Sequence, residues 1–194
     1  MQSIQALLLE PIGCLAEFPP GPFHEIAARF FGRKGKASAS ASREYWHLLN
    51  LMDEAATPLD EEQIAAMEAL ELEAINAASL YEDVRPVLVE LKSMGVQLAF
   101  TTSLSRAGAD AFLERHSLCE FFPCAMSRDD AGGVKPVPLL AAIDEMQIPG
   151  EHAIFLTDTV EGIKIARAAG VHPILMMNDI LESAPPVSTA RKKR

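Results

Sequence analysis

Four short segments of the chain carry residue types that could together handle a phosphoryl group: Leu9-Glu10-Pro11-Ile12-Gly13-Cys14-Leu15, Phe100-Thr101-Thr102-Ser103, Gly133-Val134-Lys135-Pro136 and Leu156-Thr157-Asp158-Thr159-Val160-Glu161-Gly162. A carboxylate, a hydroxyl, an ammonium and a second carboxylate are the parts with which proteins hold a divalent cation and a phosphate. The carboxylates are hard oxygen ligands, and the hydroxyl and ammonium are a donor and a fixed positive charge for the anion. Each residue also has a plainer reading. Thr102 could end a strand or cap a helix, Lys135 could be a solvated loop lysine, and Asp158 could cap a helix that starts near Glu161. Cys14 has no histidine placed beside it by any spacing, so a nucleophilic role for it lacks its activating partner.

A parallel sheet would bring these segments together. Short apolar runs predict strands at 4–9, 96–102, 121–126, 153–157 and 172–176. Helical periodicity predicts helices at 84–94, 106–116, 137–146 and 161–169, two of them stopped by Gly95 and Gly170. Alternating strands and helices imply an α/β architecture with helices on both faces of the sheet and ligands beyond the carboxyl ends of its strands. Residues 18–81 interrupt that rhythm with three helical stretches, 23–31, 43–55 and 59–80, and no strand. The predicted organisation is an α/β core of residues 1–17 and 82–180, an inserted helical cap of residues 18–81, and a flexible basic tail of residues 181–194. The loop Gly32-Arg33-Lys34-Gly35-Lys36 lacks Walker A spacing. It reads either as a solvated cap loop or as an anion loop facing a substrate.

The composition, with 49% hydrophobic and 23% charged residues, is that of a folded globular protein. A formal charge of −10 repels nucleic acid and anionic membranes, so neither is an expected partner. Three cysteines without a C-x-x-C pair suggest no disulfide framework and no zinc site, and fit a reducing cytoplasm. The apolar stretch at the N-terminus is too short for a signal peptide or a membrane span.

In order and spacing the four segments resemble the haloacid dehalogenase-like (HAD) hydrolases, whose phosphoglycolate phosphatase-like branch carries a helical cap in the same place. The resemblance runs from Gln5 to Met177. It is best at Gly133-Val134-Lys135-Pro136 and at Thr157-Asp158-Thr159-Val160-Glu161-Gly162-Ile163 with Ala168-Ala169-Gly170-Val171. It implies a HAD-like Rossmannoid fold and a small phosphorylated molecule as ligand. By the same resemblance Thr102 would hydrogen-bond a phosphate oxygen, Ser103 would support it through its backbone, and Lys135 would neutralise charge. Magnesium would be held by Glu10, the backbone carbonyl of Ile12 and Asp158.

The first motif departs from the family pattern D-x-D-G-T. Glu10 stands at the nucleophile position, one methylene too long, and a misplacement of about 1 Å can cost about a hundredfold in rate. Ile12 stands at the acid/base position, where loss of proton transfer removes about 10² to 10⁴. Pro11 has no N–H to offer a phosphate oxygen. The expected function is therefore that of a catalytically impaired HAD-like protein, possessing a phosphate and magnesium pocket or the scaffold alone. Two alternatives stand beside it: a working magnesium-dependent phosphatase that uses Glu10, and a protein interaction module that binds through Trp46, Tyr45 and Leu49 of the cap.

Overall fold

The computed structural model describes residues 4–32 and 37–176. Residues 33–36 of the basic loop, residues 177–180 and the tail expected at 181–194 lie outside them.

Strand β1 (Ala6–Leu9) is an apolar run whose alternate side chains enter two different cores. Leu9 joins Phe100, Leu88 and Phe112 on one face of the sheet, and Ala6 and Leu8 join Leu139, Ala142 and Phe155 on the other. Both faces are buried, which explains why the strand lacks polar alternation. The other sheet strands are β4 (Gln97–Thr101), β5 (Cys124–Met126), β6 (Ala153–Thr157) and β7 (His172–Leu175). Together with β1 they form a parallel five-stranded sheet in the order β5-β4-β1-β6-β7. The chain builds outward from β1 to β5 on one side, then crosses to β6 on the other. This reversal puts a crevice at the carboxyl end of β1, where open α/β sheets take their ligands. The helices α4 (Val84–Ser93), α5 (Arg106–Arg115), α7 (Pro136–Met146) and α8 (Val160–Ala168) connect the strands, with a one-turn helix α6 (Arg128–Ala131) before α7.

Between β1 and α4 the chain makes a turn, the two-residue strand β2 (Ala16–Glu17), and the helices α1 (Gly21–Phe31), α2 (Ala41–Glu54) and α3 (Glu61–Ala77). Helix α3 starts with a reciprocal cap: Asp60 Oδ1 accepts from Gln63 N at 2.9 Å, and Asp60 N donates to Gln63 Oε1 at 3.0 Å. Aromatic rings join this insertion to the sheet. Phe23 packs on Tyr45 with ring centroids 5.3 Å apart, Phe18 on Phe112 at 5.6 Å and Phe112 on Phe100 at 5.7 Å.

Two local expectations need correction, and one short helix is additional to those expected. The helix expected over 59–80 stops at Ala77, because Ser79–Leu80 form a strand, β3, that pairs antiparallel with β2. The strand expected over 121–126 begins at Cys124: Phe121 closes a 3-10 turn, and Pro123 has no N–H for a ladder bond. Helix α6 was not anticipated. It is held by a capping box in which the Ser127 hydroxyl accepts from Asp129 N and Asp130 N, while Asp130 accepts from Ser127 N at 2.9 Å.

Candidate active site

Glu10 leaves the end of β1 straight into the crevice and is only 6% exposed. Burial, and secondarily the carboxylate of Asp158, pushes its carboxyl well above the usual range. The turn that follows is closed by its own backbone: Pro11 O accepts from Leu15 N at 3.1 Å and from Ala16 N at 3.0 Å. Gly13 has φ +75°, and a Cβ there would lie 1.9 Å from Asp158 Oδ2. Only glycine lets Asp158 approach this turn so closely. Ile12 is 2% exposed and belongs to the same apolar core as Leu9, Leu15 and Phe18. Cys14 is buried with its sulfur 3.4 Å from Leu156 O, and burial, followed by Asp158 and Glu10, pushes its thiol up and away from the reactive thiolate.

Thr102 and Ser103 follow β4. The Thr102 hydroxyl accepts from Leu104 N at 3.2 Å, so it does cap the local turn, and Tyr45 Oη lies 3.5 Å from it. Ser103 Oγ accepts from Lys135 N at 2.8 Å, tying the second segment to the third. Lys135 itself has φ +62°, ψ −113°, a strained conformation for a residue with a Cβ, of the kind that costs about 1–3 kcal/mol and persists where surroundings enforce it. Its ammonium is 2.5 Å from Asp53 of α2, and its side chain is 15% exposed, so it is not a solvated loop lysine. Asp158 is not the cap of α8. Thr159 is, accepting from Gly162 N at 3.0 Å, and Asp158 instead receives a hydrogen bond from the Ser42 hydroxyl of α2.

Glu10, Thr102, Ser103 and Lys135 thus line one cleft, together with Thr101 and Trp46. Asp158 is not in its lining. It reaches the site from the turn side, against Gly13 and near enough to Glu10 to act on its charge. Trp46 of helix α2 closes one side of the cleft, whose cavity is only about 10 Å³. Sequence spacing did not reveal Ser42 and Asp53, because they lie on a remote helix. It also missed the buried pair of Glu71 on α3 and Arg128 on α6. Arg128 Nη1 donates to Ser103 O at 3.1 Å and Ser105 N donates to Glu71 Oε2 at 3.1 Å, so this pair holds the loop after Thr102. Tyr45, Trp46 and Leu49 are 1%, 7% and 1% exposed, so the contact patch expected of an interaction module is buried.

Among the described residues no three His, Cys, Asp or Glu side chains converge as a metal cluster. Two carboxylates, Glu10 and Asp158, lie near enough for the charge of Asp158 to act on Glu10, a donor pair that suits a hard divalent cation completed by backbone oxygen and water.

The family model of the haloacid dehalogenase-like hydrolases matches residues 26–176. The chain belongs to that family. It is 26% identical over 184 residues to a ribulose-1,5-bisphosphate 5-phosphatase of Halopiger xanaduensis, covering 87% of this chain and 77% of that protein. It is 28% identical over 102 residues to the protein CbbY of Cereibacter sphaeroides, covering 50% of this chain. Two of the curated relatives are matched over less than half of their own length, 46% and 44%. Among solved structures, CbbY of Rhodobacter sphaeroides in complex with xylulose-(1,5)bisphosphate superposes with a TM-score of 0.65 at 22% identity, covering 89% of this chain and 85% of that one. At that identity the likeness establishes the fold. Among the described residues no helix is long and apolar enough to cross a membrane.

Proposed function

We propose that this HAD-family protein keeps a crevice for a small phosphorylated molecule but hydrolyses phosphate monoesters very slowly. The observation that carries this reading is Ile12, an alkyl side chain sealed into the core at the position where the family resemblance places the acid/base group. No proton can be given to a leaving group or taken from water there, a deficit of about 10² to 10⁴ in rate. Around it, the remaining parts suit binding better than turnover. Thr102 and Lys135 line the cleft and bring a hydroxyl and an ammonium to it, and Ser103 fixes the backbone of Lys135. Glu10 occupies the nucleophile position with a buried carboxyl that resists ionisation, and Pro11 offers no N–H. Magnesium would be held by Glu10, the Ile12 carbonyl and Asp158, and would supply charge neutralisation for a phosphate when bound. The relatives named for bisphosphorylated sugars support a small phosphorylated metabolite as the class of ligand.

The test is turnover of a chromogenic phosphate ester with magnesium across pH 5 to 9. Wild type is expected to be very slow, and Glu10→Asp alone to remain so, because reach is corrected while proton transfer and the missing donor are not. Glu10→Asp, Pro11→Leu and Ile12→Asp together should raise the rate far more than the product of the single effects, since these groups act as a unit. Robust wild-type turnover that disappears in Glu10→Ala would overturn the impaired reading.

A further inference from the structure

Asp53, near the end of α2, already places an anion on Lys135. Lys135 is the cationic side chain in the wall of the cleft, so the group that a phosphate would seek is occupied from within. The same helix puts Trp46 in the wall, the Tyr45 phenol beside Thr102 and the Ser42 hydroxyl on Asp158. A cavity of about 10 Å³ has room for no more than about one water, so a phosphate ester cannot enter it as it stands, and Trp46 of α2 is the part of its wall that the insertion supplies, beside Leu139 and Phe155 of the core.

The insertion is fastened to the sheet unevenly. On the α3 side, Glu71 and Arg128 are paired with side chains only 1% and 9% exposed, and separating them would strand buried charges. On the α2 side, the Asp53 side chain is 44% exposed, so water can receive its carboxylate when the pair opens. Of the α2 contacts to the core, this is the one open to water, whereas Ser42 on Asp158 and Tyr45 beside Thr102 are 6% and 1% exposed. We propose that the Asp53–Lys135 pair is a latch that holds α2 over the cleft, and that an incoming phosphate group releases it by taking the place of the Asp53 carboxylate on Lys135. This rests on the reading of the cleft as a phosphate site and adds to it a competitor supplied by the protein itself.

Trp46 is the single tryptophan of the chain and is 7% exposed in the cleft wall, so its emission reports the position of α2 without any need for turnover. Asp53→Asn keeps the size of the side chain and removes its charge. In the full-length protein, with far-UV circular dichroism matching wild type, Asp53→Asn should red-shift Trp46 emission and increase its quenching by acrylamide. Inorganic phosphate at constant ionic strength should red-shift the wild type as well, with a midpoint roughly 2- to 5-fold higher than in Asp53→Asn, the range expected for competition with a partly exposed ion pair. Lys135→Met should show the open signal and no response to phosphate. Identical emission and quenching in Asp53→Asn and wild type would overturn the latch, as would identical phosphate midpoints. A red-shifted Asp53→Asn with no phosphate response in any variant would keep Asp53 as the residue that holds α2 but overturn its release by phosphate, and the phosphate reading of the cleft with it.

Discussion

At Ile12 an alkyl side chain takes a position where the family resemblance puts a titratable one, and the turn around it has the packing to match, with Leu15 and Phe18 in the same core. That substitution was legible in the sequence, as were Glu10, Thr102, Ser103 and Lys135, because each follows the end of an apolar run. The partners of these residues were not legible. Nothing in the spacing says that Asp53 meets Lys135 or that Ser42 meets Asp158, since both contacts depend on how a helix packs over the sheet. Gly162 shows the same divide. Its place in the fourth segment is plain, but the reason for glycine is tertiary: a Cβ there would lie 2.0 Å from Thr157 Oγ1, on a residue with no exposure. Alanine is the better helix former by about 1 kcal/mol, whereas forcing atoms into a filled site typically costs about 1–3 kcal/mol. With an overlap this deep at a fully buried neighbour, the clash should win. Gly162→Ala should lower the stability by about 1–2 kcal/mol, read as a lower urea midpoint at unchanged slope; an unchanged or raised midpoint would show that α8 can shift off β6 freely.

At the scale of elements, periodicity and glycine stops located the five sheet strands and the four connecting helices, because packing in the central sheet imprints an apolar run on a strand and a helical period on the helix that covers it. The elements missed, β2, β3, α6 and the 3-10 turns at Cys119–Phe121 and Gly150–His152, are too short to show a period; β2 and β3 are set by pairing with each other and α6 by its capping box. Helix α5 illustrates how an element's end tunes a side chain. His116 is its C-cap, packed on Phe112 with ring centroids 4.7 Å apart, and its Nε2 is buried without a hydrogen-bond partner. A helix C-terminus ordinarily favours protonated histidine. Here burial, followed by the charge of Arg115, holds its pKa below the usual 6.5, and the Arg85 guanidinium bonded to the His116 carbonyl at 2.8 Å adds a further cation nearby. The unfolded chain therefore takes up this proton before the folded one does. The neutral ring contributes stability in full above the unfolded pKa, and that contribution is lost as pH falls through the lower folded value. His116→Gln, which does not titrate, should flatten the decline in melting temperature between pH 7 and pH 5 relative to wild type. Parallel declines in the two proteins would refute the assignment.

Across the whole molecule, the insertion and the sheet are joined through a charge pair that no aqueous surface stabilises. Glu71 comes from α3 and Arg128 from α6; Arg128 also holds Ser103 O and Glu71 also holds Ser105 N, so the pair ties the insertion to the loop beside the cleft. Buried pairs of this kind contribute little compared with well-packed apolar groups, because desolvation offsets their attraction, but removing one partner strands the other and costs about 3–5 kcal/mol. Arg128→Met should therefore be strongly destabilising. Glu71→Leu combined with Arg128→Met should recover most of that loss, although Ser103 O and Ser105 N lose their partners in the double variant. If the pair and the aromatic contacts between Phe18, Phe112 and Phe100 make the insertion and the sheet one cooperative unit, wild-type urea unfolding followed by Trp46 fluorescence and by far-UV circular dichroism should coincide. Arg128→Met weakens the joint itself, so in that variant the Trp46 transition should move to lower urea and precede the circular dichroism transition. A double variant no more stable than Arg128→Met would mean that the stranded charge is not what destabilises the single variant. Separate transitions already in wild type would mean that the insertion folds and unfolds independently of the sheet.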